Sequence, residues 1–70
     1  METIKEVIDK LIELNGNSVE QVDNCSIKFV SRNLTIRFPF NIDVDRLIEI
    51  LNKEIKFQNS KGLKLKTIVK

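Results

Sequence analysis

Apolar and polar residues alternate on both sides of the dipeptide Arg32-Asn33. A two-residue turn at this dipeptide would bring two antiparallel strands together, and Asn33 tolerates the positive φ that such a turn requires. The facing pairs in this register are Ser31 with Leu34, Phe29 with Ile36, Ile27 with Phe38 and Cys25 with Phe40. These pairs share one face and nearly all are apolar, whereas a slip of one residue would pair core positions with polar ones. The pattern predicts a hairpin whose phenylalanines and cysteine point into the core.

The segment before this hairpin has the periodicity of an amphipathic helix. Thr3 and Glu6 have the spacing of a capping box, in which each side chain accepts a backbone hydrogen bond at the helix start. Apolar residues then recur at helical spacing at Ile4, Val7, Ile8, Leu11, Ile12 and Leu14. Asn15-Gly16 is expected to end the helix, because glycine readily adopts the left-handed conformation found there. Residues 16–24 are then predicted to be a polar loop anchored by Val19 and Val22.

A second helix is predicted after Pro39. Asp43 suits the N-cap, and Ile42 with Leu47 has the spacing of a hydrophobic staple across it. The inward stripe is predicted to be Val44, Leu47, Ile48, Leu51 and Ile55. Ile50 and Phe57 lie about 100° or more from this stripe on a helical wheel. We expect them to pack beside the first helix, and a partner-facing patch is the alternative.

Residues 63–69 alternate in the manner of a half-buried strand that follows a turn at Asn59-Ser60-Lys61-Gly62. The inward positions would be Leu63, Leu65, Thr67 and Val69, and the outward positions Lys64, Lys66 and Ile68. Residues 1–70 are therefore predicted to form a single α+β domain with the order α-β-β-α-β. It would be a two-layer sandwich with two helices on one face of a three-stranded, mostly antiparallel sheet. The last strand is placed beside the first hairpin strand; a place beside the second, or pairing with another chain, stays open.

The residue types limit the chemistry. The chain has no histidine and one cysteine, which excludes a zinc site, an internal disulfide and a histidine-activated nucleophile. Residues 41–45 carry oxygen ligands at alternate positions, as a calcium-binding EF-hand loop does. Arg46 and Asn52 stand where that loop needs glycine and glutamate. We expect no enzymatic activity, no cofactor and no metal.

Segments that direct a chain to or across a membrane are not recognised in the sequence. The N-terminus carries charges every few residues, and no apolar run reaches the roughly 18 residues of a membrane span. A lone thiol also suits a reducing compartment. We expect a cytoplasmic protein.

Charge is distributed unevenly along the chain. Residues 1–23 hold six acids and two lysines, and residues 24–70 hold four acids and ten lysines and arginines. In the predicted register the outer face of the sheet collects cations without an acid on those strands. The predicted partner-binding residues are Lys28, Arg32, Arg37, Lys64 and Lys66. A merely solvated face is the alternative explanation for this cluster.

The leading hypothesis is a non-enzymatic protein-binding or regulatory module that meets an acidic partner through these cations. The alternative is a weak, sequence-tolerant nucleic-acid-binding protein that uses the same face. It is less favoured, because sheet-based readers of single strands expose aromatic residues and the strand aromatics here are predicted to point inward. A third hypothesis is a structural subunit that contacts its neighbour through Ile50, Phe57 and the last strand, which makes a homodimer possible.

Overall fold

The computed structural model describes residues 3–68, and within them two helices accompany a three-stranded antiparallel sheet. The elements in chain order are α1 (Ile4–Asn15), β1 (Val19–Asp23), β2 (Ser26–Phe29), β3 (Leu34–Arg37) and α2 (Val44–Ser60). Single 3₁₀ turns at Gly16–Ser18 and Val30–Arg32 connect some of them. The predicted α+β class is therefore confirmed. The element order is α-β-β-β-α instead of α-β-β-α-β.

Helix α1 begins and ends where the sequence predicts. The Thr3 hydroxyl accepts a hydrogen bond from the Glu6 N–H at 3.2 Å and donates one to the Glu6 carboxylate at 3.3 Å. At the other end, Gly16 has a φ of 59° and its N–H bonds to the carbonyl of Ile12. The buried stripe consists of Val7, Ile8 and Leu11. Short-range capping and periodicity therefore suffice to define this helix.

The hairpin of β2 and β3 has a register that differs from the predicted one by two residues. Phe29 lies opposite Leu34, and Ile27 lies opposite Ile36. A shift of two preserves the side-chain alternation, so Ile27 and Phe29 are fully buried as predicted although their partners differ. The chain reverses through the Val30–Arg32 turn and Asn33, whose φ is 51°. Only Asn33 has a positive φ here, because arginine is a poor residue for the first position of a two-residue hairpin turn.

Phe40 is not in the core, contrary to the predicted pairing with Cys25. Strand β3 ends at Arg37. Phe38 directly follows it and is the last buried residue of the hairpin, and its N–H donates to the Cys25 carbonyl at 2.9 Å. A turn closed by the Ile42 N–H and the Pro39 carbonyl then leads the chain away from the sheet. Phe40 is consequently 80 % exposed, and Cys25 is half-buried.

Residues 19–23 form strand β1, where a loop was predicted. The strand pairs with β2 and places Val19 opposite Phe29, so Val19 is buried, whereas Val22 is 53 % exposed and anchors nothing. Its sequence does not alternate, which is why the pattern missed it. A short turn joins β1 to β2, and closing a short loop costs little chain entropy. Strand β1 thus occupies the sheet edge that residues 63–69 were predicted to take.

Residues 63–68 belong to no helix or strand within the described part of the chain; the predicted inward position Val69 lies outside it. Helix α2 continues to Ser60, beyond the start of the predicted turn. The Gly62 N–H bonds to the Asn59 carbonyl, and the Leu63 N–H bonds to the Gln58 carbonyl, each at 3.1 Å. This is a Schellman motif with Gly62 at a φ of 103°. It reverses the chain, so residues 63–68 return along the helices and not along the sheet.

The core lies between the sheet and both helices. The predicted inward stripe of α2 is confirmed, with Leu47, Ile48, Leu51 and Ile55 buried and Val44 half-buried. These residues form one apolar cluster with the stripe of α1 and the inward residues of the strands. Leu65 and Ile68 join the same cluster, although Ile68 was predicted to face outward. Neither helix is long and apolar enough to cross a membrane.

Candidate functional site

Lys28 and Arg37 lie on the outer face of the sheet, as predicted, but acids stand beside them. Lys28 on β2 is opposite Thr35 on β3 and Glu20 on β1. Arg37 is opposite Ser26, which pairs with Asp23 in turn. Strand β1 supplies both acids, so each of these two cations has an acid in the same row of paired residues across the sheet. The hairpin strands carry no acid, as predicted, but the unpredicted strand β1 brings Glu20 and Asp23 to the sheet.

Asp23 is the last residue of β1, directly before the turn that leads to β2. Its Oδ1 accepts a hydrogen bond from the Cys25 N–H at 2.8 Å. This bond, with the nearby Ser26 hydroxyl and the positive charge of Arg37, holds the pKa of Asp23 below its ordinary value of 3.8. The carboxylate thus stays charged at neutral pH and offsets the charge of Arg37.

The other three predicted cations lie apart from this pair. Arg32 donates from Nη2 to the Lys61 carbonyl at 2.7 Å and so connects the β2–β3 turn to the end of α2. Lys64 and Lys66 are exposed on residues 63–68, where the backbone of Lys66 is bonded to Asn15 of α1. The structure therefore does not assemble five cations on one face. Their role in partner binding stays a prediction.

Ile50 and Phe57 lie together on one flank of α2. A shallow depression of about 460 Å³ on this flank is lined by α2 residues alone: Arg46, Glu49, Ile50, Lys53, Glu54 and Phe57. Phe57 is 53 % exposed and Ile50 is half-buried. Neither residue belongs to the apolar cluster of the core, and their expected packing beside the first helix stays a prediction. We call this surface the Phe57 flank.

Charged groups surround the ring of Phe57. Lys61 Nζ lies over the ring, 5.0 Å from its centroid, and Lys53 is exposed one turn before it. The two acids of the flank are engaged within the chain. Glu49 pairs with Arg46 at 2.9 Å, and Glu54 accepts a hydrogen bond from Gln58 at 3.1 Å. The flank thus combines an exposed aromatic ring with lysines on either side.

Three asparagines for which the sequence predicted no binding role hold residues 63–68. Each donates from Nδ2 to a backbone carbonyl and accepts at Oδ1 from the N–H of the same residue. Asn52 holds Ile68 at 2.8 and 2.7 Å, and Asn59 holds Leu65 at 2.9 and 2.8 Å. The third, Asn15 at the end of α1, holds Lys66 at 3.1 and 2.7 Å. We call these three side chains the asparagine site.

A weak signal for this site was present in the sequence. Asparagine is a poor helix former, because its side chain competes for backbone hydrogen bonds. Asn52 and Asn59 are seven residues apart and lie on the same face of α2, beside the apolar stripe. Two asparagines at this spacing inside a helix indicate that this face of the helix makes polar contacts. Their partner segment is not evident from the spacing.

Comparisons of the chain with protein-family models, curated proteins and solved structures give no match. Among residues 3–68, no group of three or more aspartate, glutamate or cysteine side chains is arranged to hold a metal ion. The function is therefore inferred from the two surfaces that the geometry defines, the Phe57 flank and the asparagine site.

Proposed function

We propose that this chain is a non-enzymatic protein-binding module that contacts an acidic partner through the Phe57 flank. The observation that carries the proposal is the exposed ring of Phe57 beside half-buried Ile50, at the edge of a depression. Aromatic side chains that fill a partner's pocket are typical anchors of protein interfaces, where truncation of one costs about 2 kcal/mol or more. A single exposed apolar residue would be ordinary. Two of them around a concavity form a more specific surface.

The charges of this flank favour an acidic partner. Three cations (Arg46, Lys53 and Lys61) lie on or beside this flank against two acids (Glu49 and Glu54), and Glu49 is already ion-paired with Arg46. An approaching carboxylate would therefore meet Lys53 and Lys61 on opposite sides of the ring. Such charges raise the association rate more than they raise the affinity. The ring would then provide most of the binding free energy.

The sheet face supports a nucleic-acid-binding function less well than the sequence suggested. Non-specific affinity for phosphates grows with the number of cations that meet them. On this face Glu20 opposes Lys28, and Asp23 lies close to Arg37. These acids would repel the phosphates that the cations attract. A protein partner on the Phe57 flank is the better-supported hypothesis.

A nuclease-treated pull-down from native lysate tests the proposal, with Phe57→Ala as the variant and Phe40→Ala as its control. Both remove an exposed ring, and Phe40 lies outside the flank with 80 % of its surface exposed. We expect a stoichiometric protein to be recovered with the wild type and with Phe40→Ala, and at least tenfold less with Phe57→Ala. Equal recovery with both variants, or none with the wild type, would contradict the proposal.

Neutralising a single cation on each surface tests whether the partner binds the Phe57 flank or the sheet face. Lys53→Gln removes a cation from the Phe57 flank, and Lys28→Gln removes one from the sheet face. If the partner is acidic and binds the flank, Lys53→Gln lowers the association rate at low salt and the loss fades as salt screens the charges. Lys28→Gln should leave the rate unchanged. The reverse pattern would assign the contact to the sheet face.

A further inference from the structure

The asparagine site binds a peptide backbone in the way that a strand edge does. An asparagine amide carries N–H donors and a carbonyl acceptor side by side, so it can pair with both the C=O and the N–H of a single residue. All three side chains use this pairing, with distances between 2.7 and 3.1 Å. The pairing involves no side chain of the bound segment. The site therefore holds the segment through its backbone.

The bound segment contributes two apolar anchors. Leu65 is 7 % exposed and Ile68 is 3 % exposed, and both belong to the apolar cluster of the core. The site therefore selects apolar residues three positions apart. It also needs free N–H groups at the residues bound by Asn59, Asn15 and Asn52, which excludes proline there. Residues 63–68 satisfy both conditions.

Gly62 is the hinge that directs this segment onto its own chain. Its φ of 103° is needed for the Schellman motif that reverses the backbone after α2. A different conformation at Gly62 would point the segment away without disturbing the helix bonds before it. A Cβ at this position would meet only Arg32 Nη2, at 3.9 Å, so space does not fix the turn. The backbone conformation of Gly62 therefore decides whether residues 63–68 pack on their own chain or on another copy.

We propose that the asparagine site binds residues 63–68 of a second copy of the chain, so that two copies exchange this segment. A second copy of the chain fits this site, because its residues 63–68 have the same sequence and can make every contact described above. Exchange of an identical element is a low-cost route to a dimer. A segment tethered by a short linker has an effective concentration of about a millimolar, so exchange by the wild type is expected near that concentration.

This proposal does not depend on the Phe57 flank. Asn52 and Asn59 are each two positions from Ile50 and Phe57, which places the two pairs about 160° apart on a helix of 3.6 residues per turn. A partner on one flank therefore leaves the other accessible. Loss of the binding described under Proposed function would not alter the exchange, and loss of the exchange would not alter that binding.

Gly62→Ala tests the proposal by straining the closed hinge. Alanine disfavours a positive φ, so the substitution destabilises the monomer, in which residue 62 has a positive φ. It does not destabilise the exchanged dimer, in which residue 62 adopts another conformation. We expect the dimerisation constant, measured by analytical ultracentrifugation, to rise roughly tenfold for each of the two hinges. Gly16→Ala is the matched control: Gly16 also ends a helix at a positive φ, 59°, but does not precede the segment. A monomeric Gly62→Ala at millimolar concentration, or an equal rise with both variants, would overturn the proposal.

A second measurement identifies the contact within the dimer. A synthetic peptide of residues 63–68 should compete for the asparagine site and return Gly62→Ala to the monomer. The same peptide methylated on the backbone nitrogen of Ile68 lacks the N–H that Asn52 accepts, so it should be at least tenfold weaker. If the two peptides act equally, or neither dissociates the dimer, the dimer forms by another contact and the proposal fails.

Discussion

The sheet and residues 63–68 differ in what pairs with their backbone polar groups. Both regions contain backbone N–H and C=O groups that have no partner within a helix and find one elsewhere in the chain. In the sheet, the partner of β2 on each side is another strand, so backbone pairs with backbone. In residues 63–68, three asparagine side chains from two helices take the place of a strand. Alternation in a sequence thus predicts an extended segment with one dry side, but it does not identify what pairs with it.

The two kinds of pairing differ in how they respond to substitution. A strand ladder uses main-chain atoms that every residue except proline supplies, so a change of side chain acts mainly through packing. The asparagine site uses atoms that only a few side chains carry. We therefore expect packing to decide the stability of the sheet and single amides to decide the position of residues 63–68.

The largest effect is expected from Phe29→Ala. Phe29 is fully buried on the central strand, and removal of a buried phenylalanine costs about 3–5 kcal/mol. The free energy of unfolding for a chain of this length is of the same order. Urea titration should show a largely unfolded protein at 25 °C. Phe57→Ala removes the same atoms from an exposed position and is the control, with a loss of about 0.5 kcal/mol. Similar losses would show that the core is not where the structure places it.

The next effect concerns the asparagine site. Asn52→Ala leaves the N–H and C=O of buried Ile68 without their partners, which is expected to cost about 2–3 kcal/mol of unfolding free energy. The amide of residue 68 should also lose its protection from hydrogen exchange, while the amides of β2 keep theirs. Asn41→Ala changes an exposed asparagine and should cost about 0.5 kcal/mol or less. If both variants behave alike, the amide of Asn52 does not hold the segment.

The elements that local rules define were predicted well. Helix α1 follows from Thr3, the apolar stripe and Gly16, and α2 from Asp43 and its stripe, because caps and periodicity act over a few residues. The inward face of the hairpin was correct at Ile27, Phe29 and Phe38 and wrong at Phe40. The register was wrong by two residues, since turn type depends on backbone angles that the residues at 30–33 only bias.

The long-range features were not predictable in this way. Strand β1 lacks alternation, and its place is set by its short connection to β2. Residues 63–68 alternate as a strand does but are directed to the helices by the Gly62 hinge. For the candidate sites, Ile50 and Phe57 were named correctly as a separate flank of α2. The asparagine site was missed, because spacing shows which side chains share a face but not which segment they bind.

A smaller effect is expected at the hairpin turn. Asn33 has a φ of 51°, a conformation that alanine disfavours and glycine adopts freely. Asn33→Ala should lower the free energy of unfolding by about 1 kcal/mol, and Asn33→Gly should leave it within about 0.5 kcal/mol of the wild type. Urea titration of the two variants provides the comparison. A loss that is equal for alanine and glycine would indicate that the side chain of Asn33, and not its backbone conformation, matters.

The smallest effect is a pH dependence from Asp23, at the end of the edge strand β1. Its pKa in the folded chain lies below the ordinary value of 3.8, so folding favours the charged carboxylate. The stabilisation is fully present above pH 3.8 and is lost as the pH falls through the folded pKa. Asn at this position can still accept from the Cys25 N–H, so Asp23→Asn removes the charge but keeps that hydrogen bond. The wild type should be the more stable at neutral pH, and the difference should shrink below about pH 4. Glu13→Gln controls for the loss of a surface charge, and a difference for Asp23→Asn that stays constant from pH 7 to pH 3 would show that its carboxylate is not coupled to folding.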